Sequence, residues 1–324
     1  MDRITQPAGE PSAAELGGAG AVAAMRRAFL ATRPKFFTAS VLPVLVGTAW
    51  AGAAHHAFNG LWFALALLAT VLAHAATNVY NDFGDDVNGT DPANVLRIYP
   101  YTGGSRFIQN GIMTRTATLR FAYGLALAAL AAGLTLAYLR GPGVALLGVL
   151  GLALGYFYSK PGVQLSGRGS GELACAIGLG ALPVAGAVWL QADRVDTGAW
   201  LLALIVSVWV GLILLINEVP DSAADAYAGK RTLAVRLGTS GARILYQFLT
   251  LVALAAGVVL VVRHDLPRLA LVASLVLAAA GLQASRGISL EPARRDGLKA
   301  IIGDRSHPVN GYKTPAAIGI PKTL

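Results

Sequence analysis

Two stretches rich in aspartate and asparagine, each closing a long apolar run, are where this chain could do chemistry: Asn78-Val-Tyr-Asn81-Asp82-Phe-Gly-Asp85-Asp86 and Asn217-Glu-Val-Pro-Asp221-Ser-Ala-Ala-Asp225. On a helix, Asn217, Asp221 and Asp225 recur at i, i+4 and i+8 and share one face. Asn78 and Asp82, followed by Asp85 or Asp86, share a similar face. Carboxylates beside sequence greasy enough to cross a bilayer are unfavourable unless something positive offsets them. Two such faces turned toward each other make a cage for Mg2+ carrying a diphosphate, because Mg2+ takes few carboxylates and fills its shell with phosphate oxygens.

The residues that follow suit the same ligand. Gly229-Lys230-Arg231-Thr232 brings two cations and a hydroxyl just beyond Asp225. Gly103-Gly104-Ser105-Arg106 offers a turn whose backbone N–H groups and guanidinium can approach an anion. Tyr156 and Lys160, at i and i+4, point a phenol and an ammonium the same way. None of the five histidines has the spacing of a metal site with Cys or Asp. His74, one turn before Asn78, is expected to pack or to hydrogen-bond between helices. The single cysteine, Cys175, has no disulfide partner in the chain and reads as a small packing residue.

The elements that must position these groups are membrane helices. The 324 residues are 55% hydrophobic and 13% charged, with a mean hydropathy of +0.58, against about 25% charged for a soluble domain. Apolar runs fall at roughly 36–54, 61–81, 118–139, 142–158, 171–190, 198–217, 242–262 and 267–285, long enough or nearly so to span a hydrocarbon layer of about 30 Å. They predict an all-α, polytopic transmembrane bundle of about eight helices, seated in a lipid bilayer. Gly and Pro within the runs fit membrane helices better than soluble ones. Residues 1–30 are expected to be a mobile tail, since they lack the apolar core of a signal peptide. Residues 31–286 form the transmembrane domain, and 287–324 a polar, irregular C-terminal tail.

Charge placement sets the expected orientation. With a cytoplasmic N-terminus, 22 of the 26 Lys and Arg fall on the cytoplasmic side, as the positive-inside bias requires. The net charge of +9 therefore reads as membrane orientation and not as nucleic-acid binding. Trp50, Trp62, Trp189 and Trp200 fall near the opposite helix ends, as an interfacial belt. Both Asp stretches close even-numbered helices, so both open on the cytoplasm. Their separation by four helices suggests two related halves.

Four blocks of the chain resemble the UbiA superfamily of intramembrane prenyltransferases. They are Asn78 to Asp85 with Gly89-Thr90-Asp91, Thr102 to Gly111, Tyr158-Ser159-Lys160-Pro161 running on to Arg168-Gly169-Ser170-Gly171-Glu172, and Asn217 to Gly238. The third and fourth tilt the resemblance to the MenA-like branch, which prenylates 1,4-dihydroxy-2-naphthoate on the route to menaquinone. The resemblance implies Mg2+ on Asp82, Asp85, Asp221 and Asp225, holding the diphosphate of a polyprenyl donor. It implies help in substrate binding from Asn78, Asn81, Arg106, Tyr156 and Asn217. Lys160, Lys230 and Arg231 would neutralise charge growing on the departing diphosphate while an aromatic acceptor attacks the allylic carbon. It implies an integral protein of a bacterial inner membrane with its site facing the cytoplasm. A sibling enzyme acting on another aromatic acceptor, such as 4-hydroxybenzoate, shares the Asp blocks. A secondary transporter would be expected to carry its ionisable residues at mid-helix. The family usually has nine transmembrane helices, so the polar sequence after about residue 287 is a departure from its pattern.

Overall fold

The computed structural model describes residues 9–95 and 97–288. All eight expected runs are helical: α1 Thr38–His55, α2 Gly60–Val87, α3 Arg115–Arg140, α4 Pro142–Ser159, α5 Gly171–Ala192, α6 Thr197–Tyr227, α7 Leu233–Val262 and α8 Leu269–Ser285. Among the described residues the first seven are long and apolar enough to cross a membrane. The 17 residues of α8 stand at the short end of what can. The polar C-terminal tail expected where the family usually has a ninth helix falls, beyond residue 288, outside the described residues.

Local chemistry sets the helix starts. Asn59, Thr114, Asp196 and Thr232 each accept a hydrogen bond from a backbone N–H in the first turn of α2, α3, α6 and α7. Two helices run past their apolar stretches: α2 continues to Val87 and α6 to Tyr227, so both Asp stretches lie in final helical turns. Helix α5 widens to π geometry over Ala176–Ala181. Pro183, just beyond, lacks an N–H, and such gaps in the helical ladder accompany local rewinding.

Helix α2 packs most extensively on α3, and α6 packs along both α5 and α7. Helix α1 crosses to α5 and ties the halves together. That contact needs a residue without a side chain, since a Cβ on Gly47 would lie 2.4 Å from the Val184 carbonyl oxygen and 2.9 Å from the Ala187 Cβ. At the end away from the Asp stretches, Trp50 Nε1 and His55 Nε2 meet Asp196 at 3.0 and 2.6 Å, and Arg140 lies over the Trp62 ring at 4.1 Å.

The N-terminal segment departs from expectation. From residue 9 onward it is packed, with short helices at Ala13–Leu16 and Ala21–Ala31. Leu16 is buried in a cluster with Val79, Tyr80 and Phe107, and Glu10 is buried against Arg97 and Arg106. Its composition of Ala, Gly and Pro reads as a tail because the anchoring carboxylate finds its partners more than 80 residues away.

Overpacking a tight helix contact costs about 1–3 kcal/mol. Gly47→Val should therefore lower the melting temperature in detergent, whereas the same change at Gly52, which has open space around it, should leave melting nearly unchanged.

Candidate active site

The last turns of α2 and α6 border one end of a cavity of about 370 Å³. Its walls further along are apolar, with Leu134 of α3, Leu147 of α4, Leu182 of α5 and Ile213 of α6 among them. Its polar end is lined by Asn78, Asn81 and Asp85 from α2, Asn217, Glu218, Asp221 and Asp225 from α6, and Arg33, Asp91, Gly103, Gly104 and Lys230 from the connecting segments. Five carboxylates thus face two full cations, Arg33 and Lys230.

Lys230 joins the two stretches. Its ammonium lies 2.7 Å from Asp85 Oδ1 and 3.4 Å from Asp225 Oδ1. Burial works against its charge, but Asp85 and Asp225 outweigh burial and raise its pKa above the ordinary lysine value. It is a permanent cation here and not a proton acceptor. On the other side, Asn94 Nδ2 donates to Asp221 Oδ1 at 2.7 Å and the Gly103 N–H donates to Asp221 Oδ2 at 3.0 Å. Asn81 Nδ2 bridges Asp85 Oδ2 and Ser159 Oγ, both at 3.1 Å.

Arg33 is a site residue that sequence reasoning counted only as an inside-facing charge. It precedes Pro34, which disfavours the right-handed helical conformation and so ends the Ala21–Ala31 helix. Its φ of 56° is left-handed, and its guanidinium pairs with Asp82 and approaches Asn81 Oδ1 at 3.4 Å. The strained backbone was the signal, legible only as the Arg-Pro dipeptide after a helix.

Of the residues singled out in the sequence, the structure brings Asn78, Asn81, Asp85, Asn217, Asp221, Asp225 and Lys230 together along one cavity. It places others elsewhere. Asp82 does not line the cavity: it is buried beside it, held by Arg33 and by the Ser105 N–H at 3.1 Å. Arg231 is exposed, and its backbone, not its side chain, is engaged, donating to the Gly167 carbonyl at 2.7 Å. Lys160 and Tyr156 do share a face, but it turns away from the cavity. Lys160 lies 5.2 Å over the Tyr156 ring, which stacks on Tyr80. Arg106 is buried outside the cavity lining, bonded to the Asp91 carbonyl and paired with Glu10. Asp86 pairs with Arg115 and Gln109, so of the two candidates for that helical face Asp85 is the one at the cavity. His74 donates to or accepts from Ser40 Oγ at 3.1 Å, the interhelical bond expected of it. Cys175 is free and touches the cavity wall.

The oxygens present fit a hard divalent cation. No group of three or more His, Cys, Asp or Glu among the described residues is close enough to hold an ion unaided. A diphosphate-borne Mg2+ does not need one, since substrate phosphates fill much of its shell. At Gly104 (φ +75°) an added Cβ would lie 2.7 Å from Asp91 Oδ2, 2.9 Å from Asp82 Oδ1 and 3.1 Å from Arg33 Nη2, so the missing side chain leaves a carboxylate-lined cradle. Asp91 Oδ2 in that cradle is buried without a hydrogen-bond partner. Burial, with Asp85 nearby, pushes the Asp91 carboxyl well up from the usual range, against the pull of Arg33, Arg106 and Lys230.

A helical membrane bundle whose cavity runs from an acidic mouth into an apolar bore is the build of an intramembrane enzyme that takes an anionic head on a lipid tail. The sequence model of the UbiA prenyltransferase family matches residues 40–300, and the chain belongs to that family. It is 35% identical over 288 residues to the 1,4-dihydroxy-2-naphthoate octaprenyltransferase of Mycobacterium tuberculosis, covering 83% of this chain and 91% of that protein. Against the enzyme of the same description from Haemophilus influenzae it is 32% identical over 234 residues, 68% of this chain and 72% of the other. Its fold matches a UbiA homolog of Archaeoglobus fulgidus bound to DMAPP and Mg2+, with a TM-score of 0.63 at 15% identity, over 80% of this chain and 85% of that one. It likewise matches the apo UbiA homolog of Aeropyrum pernix K1, with a TM-score of 0.63 at 20% identity, over 88% and 96%. The chain is an integral membrane prenyltransferase.

The placement of the cations makes a sharp contrast testable. Removing a donor that meets developing negative charge lowers kcat by about a hundredfold or more, and Lys230→Ala should do so in a membrane assay. Arg231→Ala, with its side chain in solvent, should keep activity within about twofold, as surface changes do. Equal losses in the two variants would show that Arg231 reaches the site.

Proposed function

We propose that this enzyme transfers a polyprenyl group from a polyprenyl diphosphate to 1,4-dihydroxy-2-naphthoate, a step of menaquinone synthesis, with Mg2+ accompanying the diphosphate. The observation that carries the reading is the excess of carboxylates over cations at the mouth of a cavity whose remainder is apolar. Such an end binds a diphosphate only together with divalent cations, and such a bore suits a prenyl chain. The acceptor rests on the relatives' description as naphthoate octaprenyltransferases.

In this reading Asp85, Asp221 and Asp225, with Asp91 across the Gly104 cradle, hold Mg2+, and Asn78 and Asn217 help seat the diphosphate. Asp82 holds Arg33 at the cavity edge. When bound, Mg2+ neutralises the diphosphate and stabilises its departure. Lys230 and Arg33 meet the negative charge that grows as the allylic C–O bond breaks. The apolar walls exclude water, which would otherwise capture the electron-poor carbon. The ring then forms the new C–C bond at the carbon bearing its carboxylate, which leaves as CO2 with its bonding electrons retained by the ring. The site faces the cytoplasm of a bacterial inner membrane, a placement supported by the skew of Lys and Arg toward that side.

An assay in membranes offers one polyprenyl diphosphate with several aromatic acceptors. Diphosphate release should depend on Mg2+ and be fastest with 1,4-dihydroxy-2-naphthoate, and Asp221→Ala should abolish it while leaving the protein folded. Preference for 4-hydroxybenzoate would reassign the acceptor, and retained turnover in Asp221→Ala would remove the carboxylate site. Cysteines engineered into the 97–113 segment and near Gly229 should label only from the cytoplasmic side; labelling of either from outside would refute the orientation.

A further inference from the structure

The N-terminal segment ahead of the family match holds a carboxylate that no catalytic role uses. The Glu10 side chain is fully enclosed. Its Oε2 accepts from Arg97 Nε at 3.1 Å and Arg97 Nη2 at 2.7 Å, and its Oε1 accepts from Asn110 Nδ2 at 3.0 Å and lies 3.5 Å from Arg106 Nε. Three residues of one connecting segment, between α2 and α3, thus converge on one acid from the start of the chain.

That segment holds the carboxylates of the site. Arg97 Nη1 donates to the Asn94 carbonyl at 2.7 Å, and Asn94 in turn donates to Asp221. Arg106 Nη1 donates to the carbonyl of Asp91. Between the two arginines lie the Gly103 N–H on Asp221 and the Ser105 N–H on Asp82. A Cβ on Gly103 would lie 2.7 Å from the Arg97 Cβ, so this arginine also packs directly under the turn. Both guanidiniums are buried, Arg97 at 8% and Arg106 at 6% exposure, and without Glu10 they would repel each other in a poorly solvated place.

We infer that Glu10 is a positioning residue for the diphosphate site, acting through Arg97 and Arg106 to hold Asn94 and residues 97–106 against Asp82, Asp91 and Asp221. The inference rests on the function proposed above. It makes Glu10 part of the support of the donor site, although Glu10 itself does not line the cavity. Its signature is a defect in metal and diphosphate binding, with the acceptor side untouched.

The test uses the full-length enzyme in lipid nanodiscs, with Glu10→Ala, Glu10→Gln and Arg97→Lys compared with the parent. The last variant keeps the buried charge pair and weakens the grip on the Asn94 carbonyl. Binding of geranyl diphosphate with Mg2+ is measured by calorimetry, and steady-state kinetics give the KM for each substrate. Outer partners of a metal site change affinity by about tenfold or more when removed, so donor KM and half-saturating Mg2+ should both rise by that factor, with acceptor KM unchanged. Glu10→Gln should fall between Glu10→Ala and the parent because it keeps one acceptor oxygen. Folded variants with donor KM and Mg2+ dependence like the parent would overturn the inference. So would losses only in proportion to unfolded protein, which mark a purely structural acid. If Glu10→Ala fails to fold, Glu10→Gln and Arg97→Lys decide by the same criterion. A parent enzyme that binds no diphosphate would bring down the proposed function itself, which the calorimetry separates from a variant-specific result.

Discussion

Opposed carboxylates at the rim of an apolar bundle are the constraint on which the rest of this structure depends. Asp85 from α2 and Asp225 from α6 both reach the same ammonium, Lys230. In surroundings of low effective dielectric neither charge is tolerable alone, and the attraction that holds them is correspondingly large. The two halves of the chain therefore close on a cation, and the mouth still brings together more carboxyl groups than cations.

The helices serve that mouth by ending late. Both α2 and α6 carry their apolar faces through the bilayer and then continue for one to three turns of polar helix. Side chains on a rigid helix are held more narrowly than side chains on a loop, and phosphoryl and diphosphate chemistry depends on such positioning. Where loops do contribute, they are pinned. Gly103 and Ser105 give backbone N–H groups to Asp221 and Asp82 and therefore add no mobile side chain. Gly104 keeps its place free of a Cβ that would fill the space between Asp82 and Asp91.

The same bundle separates its two ends chemically. Away from the mouth, Asp196 caps α6 while receiving Trp50 and His55 of α1, and Gln191 exchanges hydrogen bonds with the backbone of Asn59. These bonds join helices from both halves at the end opposite the Asp stretches. Between the two polar ends, Gly47 and Gly180 let α5 approach α1 and α6 closely. In lipid, where apolar burial drives helices together weakly, such close backbone approach supplies much of the association.

The sequence by itself determined the elements and the acid faces. Helical periodicity is a local property, so Asn217, Asp221 and Asp225 had to share a face, and runs of apolar residues had to become membrane helices. It also made Lys230 and Arg231, which follow α6 directly, candidates to stand near Asp225. Tertiary structure alone decided which cations join the site. Arg231, next in sequence to Lys230, faces solvent, and Lys160 rests on aromatic rings. Arg106 is consumed by Glu10 and the Asp91 carbonyl, whereas Arg33, 49 residues before Asp82, turns inward. The physical reason is that a cation's position is set by which buried carboxylate can repay its desolvation, and those partners are chosen by chain closure over tens of residues, beyond the reach of any periodicity.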